Sequence, residues 1–261
     1  MNDLMAAAER AADAAAQITM SYFRHPLNVD NKAGLGAFDP VTQADREAEL
    51  AIRQILGEAF PQVGFYGEEH DQVRSECGLT WVVDPIDGTR AFMSGMPLWG
   101  TLIGLFDGQN AILGLMDQPF FKERFLAMNG RSELRNNDGT HLLKSRSGVA
   151  LSGATLYCTT PDMFSEGSPL ARFTAVKNAV QLTRYGGDCY AYGLLAAGHV
   201  DLVLDCDLKP FDIQALIPLI EAAGGVVTNW QGESAVDGGF VVASGSPALH
   251  EQTLALLQSD P

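Results

Sequence analysis

The 261-residue sequence predicts a mixed α/β (α+β) fold in two halves, 1–140 and 141–261. Three observations predict it. Helix-forming segments alternate along the chain with short β-branched or aromatic runs. In the first half, Leu98 to Phe106, Ala111 to Met116 and Arg124 to Met128 succeed one another across Asp107-Gly108 and Gln118-Pro119, the pattern of antiparallel neighbours. In the second half strands and helices take turns, and a polar, turn-rich stretch from Asn129 to Gly148, with NNDGT inside it, divides the two.

In chain order, the alanine-rich segment Leu4 to Phe23 reads as a long helix capped by Asn2 or Asp3 and ended by His25-Pro26. Asn28 to Pro40, carrying Lys32, Gly34 and Gly36, has no clear period and reads as a mobile loop or weak hairpin. A second helix is expected from Thr42 to about Gly57, and Thr42-Gln43-Ala44-Asp45 has the form of a capping box. Pro61 to Glu69, PQVGFYGEE, reads as a strand ending at a glycine and two carboxylates, with a polar connection to Leu79. Trp81-Val82-Val83 is a buried strand that delivers Asp84 onto Pro85, where the missing N–H is expected to stop it.

Past the divide, Leu156 to Thr159 reads as a strand, Pro169 to Asn178 as a helix, Val180 to Arg184 as a strand and Cys189 to Ala197 as a helix. Val200 to Leu204 returns as a strand. Lys209-Pro210-Phe211 opens another helix, with a kink expected at Pro218. Val226 to Asn229 and Phe240 to Ala243 are the last strands, and Pro247 to Leu257 the closing helix.

Composition narrows the function. With 46% hydrophobic and 19% charged residues the chain is ordinary for a soluble globular protein. A net charge of −15 argues against nucleic acid or an anionic membrane as partner, because both demand clustered Lys and Arg. Cys77, Cys158, Cys189 and Cys206 show neither zinc nor redox spacing and fit a reducing cytosol. The N-terminus lacks the apolar core of a signal peptide, and no run approaches a membrane span, so a cytoplasmic protein is expected.

The chemistry concentrates in DPIDGT, Asp84 to Thr89, where two acids and a hydroxyl share a tight turn. Two carboxylates so close raise each other's pKa unless a cation neutralises them, and hard divalent ions on oxygen ligands do this well. Turn chemistry alone also favours Asp-Pro and Asp-Gly. Likewise Asp45 could serve only as a cap, Glu68-Glu69 as a solvated loop, and Asp212 as an acid favoured in the first turn of its helix.

DPIDGTRAF followed by GMPLWGTLIGL resembles the signature of the inositol monophosphatase family, Mg²⁺-dependent and Li⁺-sensitive sugar-phosphate phosphatases. PVTQADREAE is similar to its VTxxD motif, GEE to its metal-binding glutamate motif, and KPFDIQALIPLIEAAGG to its WDxxAxxxIxxEAGG signature, with Phe211 in place of Trp or Tyr. The resemblance implies an αβαβα layered sandwich, commonly dimeric. It also implies a metal set of Glu68, Asp84, the Ile86 carbonyl, Asp87 and Asp212. Asp84 would bridge two Mg²⁺ ions, a third could be held with help from the 28–40 loop, and Mn²⁺ could substitute. Asp45 and Thr89 would orient the attacking water, Glu68 would complete the catalytic set, and Gly88 and Thr89 would cradle phosphate.

GTRAFMSGMPLWGTLIG and GGDCYAY are most similar to the histidinol-phosphate phosphatase branch, which hydrolyses histidinol phosphate to histidinol and phosphate in histidine biosynthesis. Its substrate carries an ammonium group and an imidazole, for which Asp188 and Asp205 are the candidate contacts, with Asp207 as a substitute for Asp205. Gly187 precedes a helix start that could hold an anion. Arg184 would bind substrate or pair with one of these acids. Inositol-1-phosphate or related sugar or nucleotide phosphates are the alternative substrates, and a non-catalytic metal or phosphate sensor the third reading.

Overall fold

The structure, a computed structural model, describes residues 2–26, 29–31 and 40–259. The helix α1 (Asn2–Tyr22) starts earlier than expected, so Asp3 sits in its first turn rather than at the cap. It stops before His25-Pro26, at Arg24 in a left-handed conformation. Strands β1 (Val29–Asn31) and β2 (Pro40–Thr42) pair antiparallel, the hairpin reading of this stretch, while 32–39 and the rest of the expected loop lie outside the described residues. Helix α2 (Gln43–Ala59) is capped by Thr42.

A seven-stranded sheet follows in chain order: β3 (Gly64–Gly67), β4 (Thr80–Asp87), β5 (Gly100–Phe106), β6 (Ala111–Gln118), β7 (Glu123–Met128), β8 (Arg131–Asn136) and β9 (Gly139–Leu142). Only β3 and β4 are parallel. The short helix α3 (Thr89–Met93) sits between β4 and β5. Two expectations are corrected. The stretch 129–142 forms the hairpin of β8 and β9 in this sheet rather than a polar divide, with Asn136 paired to Gly139 across the NNDGT turn. And β4 does not stop at Pro85: it runs to Asp87, with Pro85 accommodated at a bulge against β5.

The second sheet has the order β11-β10-β12-β14-β13. Its elements are β10 (Thr155–Cys158), α4 (Ser168–Ala179), β11 (Leu182–Tyr185), α5 (Asp188–Ala196), β12 (Leu202–Leu208), α6 (Pro210–Ile213), α7 (Leu216–Ala222), β13 (Val226–Asn229), β14 (Gly239–Ser244) and α8 (Pro247–Gln258). The single helix expected after Lys209 is thus two, broken at Gln214-Ala215. Pro218 explains the place: it has no N–H to give the Gln214 carbonyl one turn back, so the break falls four residues before the proline.

Alternation of side chains sorts the core into layers. Trp81, Val83, Ile103 and Leu105 face Ala8, Ala11, Ala12, Ile52 and Leu56 of α1 and α2. Leu102 and Met116, on the opposite face, share a core with Leu195 of α5, Leu219 and Ile220 of α7, and Val203 and Val241 of the second sheet. The far face of that sheet, Leu156, Leu202 and Val242, packs on Phe173 of α4 and Leu249 and Leu257 of α8. The sequence of layers is αβαβα.

One buried histidine makes this fold acid-sensitive. Thr228 commits its hydroxyl proton to the Asn229 carbonyl (2.7 Å), so its oxygen accepts from His250 Nε2 (2.9 Å), leaving Nδ1 to accept from Ser244 (3.0 Å). Burial pushes the His250 pKa down to about 4 from 6.5. The folded state therefore holds fewer protons than the unfolded one between these values, and stability falls as pH drops through the window. Between pH 7 and pH 5 the urea-unfolding stability of wild type should shift downward by roughly 2 kcal/mol relative to that of His250→Phe, whatever the acidic cluster adds to both; parallel pH profiles in the two proteins would rule the linkage out.

Candidate active site

The bulge in β4 makes the site. Asp84 pairs with Leu102 and Asp87 with Gly100, so two residues of β4, Pro85 and Ile86, stand opposite one of β5, Thr101. In an unbroken strand residues three apart point to opposite faces; one extra residue restores them to the same side. Carboxylate oxygens of Asp84, Asp87 and Asp212 all lie within 4.8 Å of one another. Asp84 is only 2% exposed, and its Oδ1 accepts from the Ile86 N–H (2.9 Å). Asp87 Oδ2 accepts from the Cys189 N–H in the first turn of α5 (2.7 Å).

Asp212 arrives from 125 residues along the chain, in the first turn of α6, where its Oδ2 accepts from the Lys209 N–H (2.7 Å). Two glycines that sequence reasoning overlooked allow the approach. Gly104 and Gly114 are direct partners on β5 and β6, and the α6–α7 break lies on them. A Cβ at Gly114 would stand 2.0 Å from the Ala215 carbonyl oxygen, and one at Gly104 3.2 Å from the Ala215 nitrogen. A glycine inside a strand pattern is the available signal for such close backbone approach. Phe211 packs edge-on against Tyr66 of β3 (5.7 Å), joining the Asp212 element to the strand that leads into Glu68.

Asp45 serves the cap of its helix and also stands beside Thr89. Its Oδ2 accepts from the Thr42 N–H (2.8 Å), closing the capping box, while Oδ1 lies 3.5 Å from the Thr89 hydroxyl. Thr89 Oγ1 is also 3.1 Å from the Ile86 carbonyl. Glu68, Asp84, Ile86, Asp87, Gly88, Thr89 and Asp212 line one cleft of about 250 Å³.

Its electrostatics favour a cation. Burial, then Glu68, Asp87, Asp212 and Asp45, push the Asp84 pKa well above the usual range. Burial and Asp212 raise Asp87 to about 7, against the opposing bonds from Cys189. Burial raises Asp212 to about 7, against the bond from Lys209. Hard oxygen donors gathered from three motifs, with Asp84 under the repulsion of four other carboxylates, fit Mg²⁺.

The same cleft is also lined by Arg90, Thr159, Asp188, Tyr192 and Asp205. Asp205 is buried, accepting from the Thr159 N–H (2.7 Å) and the Tyr192 hydroxyl (3.0 Å). Burial, then Asp87 and Asp205, raise Asp188 to about 8, with Arg90 opposing. Three sequence candidates stand elsewhere. Arg184 is exposed on the edge strand β11, outside the cleft lining and without an ion pair among the described residues. Gly187 is buried at the cap of α5, and Asp207 is exposed at a bulge of β12. Thr159 and Tyr192 carried no sequence signal, because their place depends on how β10, α5 and β12 pack.

Among the described residues no helix is long and apolar enough to cross a membrane. The cysteines are free, Cys77 exposed and the other three buried. The family model of the inositol monophosphatase family matches residues 1–260. The chain is 43% identical to the bifunctional phosphatase IMPL2, chloroplastic, of Arabidopsis thaliana, over 95% of this chain and 72% of that one. It is 33% identical to a histidinol-phosphatase of Chlorobaculum parvum, over 94% and 93%. An inositol monophosphatase structure from Zymomonas mobilis superposes with a TM-score of 0.86 at 38% identity, covering 99% of this chain and 98% of that one. A layered fold whose cleft gathers acids from three motifs, matched along nearly its whole length, belongs to the inositol monophosphatase family of metal-dependent phosphatases.

Proposed function

We propose that this phosphatase hydrolyses histidinol phosphate. The observation that carries the reading is the pair Asp188 and Asp205 in the lining of the same cleft, buried carboxyls whose raised pKa values mean that a bound ammonium or imidazolium group would draw them into the charged form. A relative named histidinol-phosphatase supports it. Inositol 1-phosphate is the second reading, favoured by the Zymomonas mobilis structure.

In this scheme Glu68, Asp84, Asp87, Asp212 and the Ile86 carbonyl would hold two Mg²⁺ ions, with a third or Mn²⁺ also admissible. Bound, the metal supplies positive charge for the phosphoryl group and acidifies water. Thr89 has two acceptors for its hydroxyl proton, the Ile86 carbonyl (3.1 Å) and Asp45 Oδ1 (3.5 Å); with that carbonyl given to the metal, the proton would go to Asp45 and the Thr89 oxygen would accept from the attacking water, aligning it on phosphorus. The amides of Gly88 and Thr89 take phosphate oxygens. Asp188 receives the substrate cation, and Asp205, fixed by Thr159 and Tyr192, reinforces the field. We assign the working form as a homodimer, by family resemblance, and place it in the cytoplasm from its unpaired, sparsely spaced cysteines.

A panel of phosphate esters with Mg²⁺ tests the substrate. Histidinol phosphate should turn over far better than inositol 1-phosphate, and the reverse order would overturn the proposal. Asp188→Asn should lower kcat/KM for histidinol phosphate about 10- to 100-fold, one charge-assisted contact, and leave inositol 1-phosphate within a few fold. Equal losses on both esters would remove Asp188 from substrate selection.

A further inference from the structure

Glu49 lies one turn after Asp45 on α2 and is fully buried. A buried carboxylate inside a helix has no need of the helix's own amides, so its partners show what it is for. Its Oε2 accepts from the Glu69 N–H (2.7 Å). Its Oε1 accepts from Arg53 Nη2 (3.0 Å) and faces His70 Nδ1 (3.2 Å). Arg53 in turn lies over the Phe65 ring of β3, 4.2 Å from its centre, so the pair is anchored to the strand it serves. On the other side of Glu68, Gly67 leaves the slot the carboxylate occupies: a Cβ there would come within 2.4 Å of Glu49 Cδ and Oε1.

Glu49 therefore touches the residues on both sides of Glu68. The residues it grips, Gly67, Glu69, Arg53 and His70, stand behind the cleft lining and not in it. We infer that Glu49 is a positioning residue that clamps the Gly67-Glu68-Glu69 turn and so sets the divalent-cation affinity of the cleft. The same helix carries Asp45 toward Thr89 and Glu49 toward the Glu68 turn, which makes α2 the common frame for both. The inference rests on the reading of Glu68 as a metal ligand.

The test is Mn²⁺ binding to the whole protein, followed by electron paramagnetic resonance, beside the Mg²⁺ dependence of phosphatase activity. Glu49→Gln keeps the shape and removes the charge. It should weaken Mn²⁺ binding about 10- to 100-fold, as loss of a group orienting a metal ligand does, and raise the half-activating Mg²⁺ concentration to match. Excess Mg²⁺ should bring kcat back to within a few fold of wild type, a rescue that a generally loosened fold would not give. Wild-type Mn²⁺ affinity in folded Glu49→Gln overturns the inference. If that variant does not fold, Gly67→Ala, whose methyl displaces the carboxylate, decides by the same readout: unchanged affinity again overturns it. Glu68→Gln separates the two readings, because intact Mn²⁺ binding there removes Glu68 as a ligand, whereas loss there with none in Glu49→Gln removes only the clamp.

Discussion

Asp84→Asn should abolish hydrolysis and, at the same time, stabilise the metal-free protein. Activity should fall at least about 10³-fold, some 4 kcal/mol of transition-state stabilisation, since Asp84 is the acid common to both proposed ion positions. Stability should move the other way. Asp87 and Asp212 have folded pKa values near 7 against 3.8, and Asp84 is raised further, so the folded state binds more protons than the unfolded one across this range. Stability is then full below about 4 and is lost as pH rises through about 7. In EDTA, wild type should melt at a lower temperature at pH 8 than at pH 6. Asp84→Asn removes one charge from the cluster and should flatten that fall. Mg²⁺ should raise the wild-type melting temperature more at pH 8, because its ligands must be deprotonated. A variant that melts lower than wild type in EDTA at pH 8 would show that the acids do not repel as described.

Gly114→Ala, one methyl group close to 100 residues from Asp212 in sequence, should cost about 3 kcal/mol or more and most of the activity. The added carbon would sit 2.0 Å from the Ala215 carbonyl oxygen and 2.8 Å from Pro218 Cγ, rigid neighbours that cannot turn aside as a long side chain would. Relief requires the α6–α7 break to lift off the sheet, and Asp212 moves with it. Urea unfolding and Mn²⁺ affinity should therefore both suffer. Wild-type values for both would mean that the contact is slack. Alanine at Gly108, where a Cβ meets nothing within 4 Å but the backbone has φ 94°, is the comparison for a strained turn that leaves Asp212 alone.

The sequence made the acids legible and hid the geometry that gathers them. Asp84, Asp87 and Asp212 stand in motifs whose residue types announce oxygen coordination, and the helices and most strands follow from periodicity and capping. Pro85, by contrast, argued for the end of a strand, because a missing N–H is read locally; the bulge against β5 that tolerates it is a property of the pair. The polar NNDGT region looked like a divide because β8 and β9 lie at a sheet edge and carry few buried side chains. Glu49 carries no signal of its own in the sequence, since what it grips comes from a turn 20 residues away. Arg184 looked poised beside the acids in sequence, yet β11 is an edge strand and its side chain faces solvent.

The most direct test of the account is anomalous diffraction from crystals of the protein grown with Mn²⁺. The acids of two separate motifs should share the metal, with a peak at about 2.1–2.2 Å from carboxylate oxygens of Asp84, Asp87 and Asp212 together. A peak held by one motif alone, or none in the cleft at saturating Mn²⁺, would contradict it.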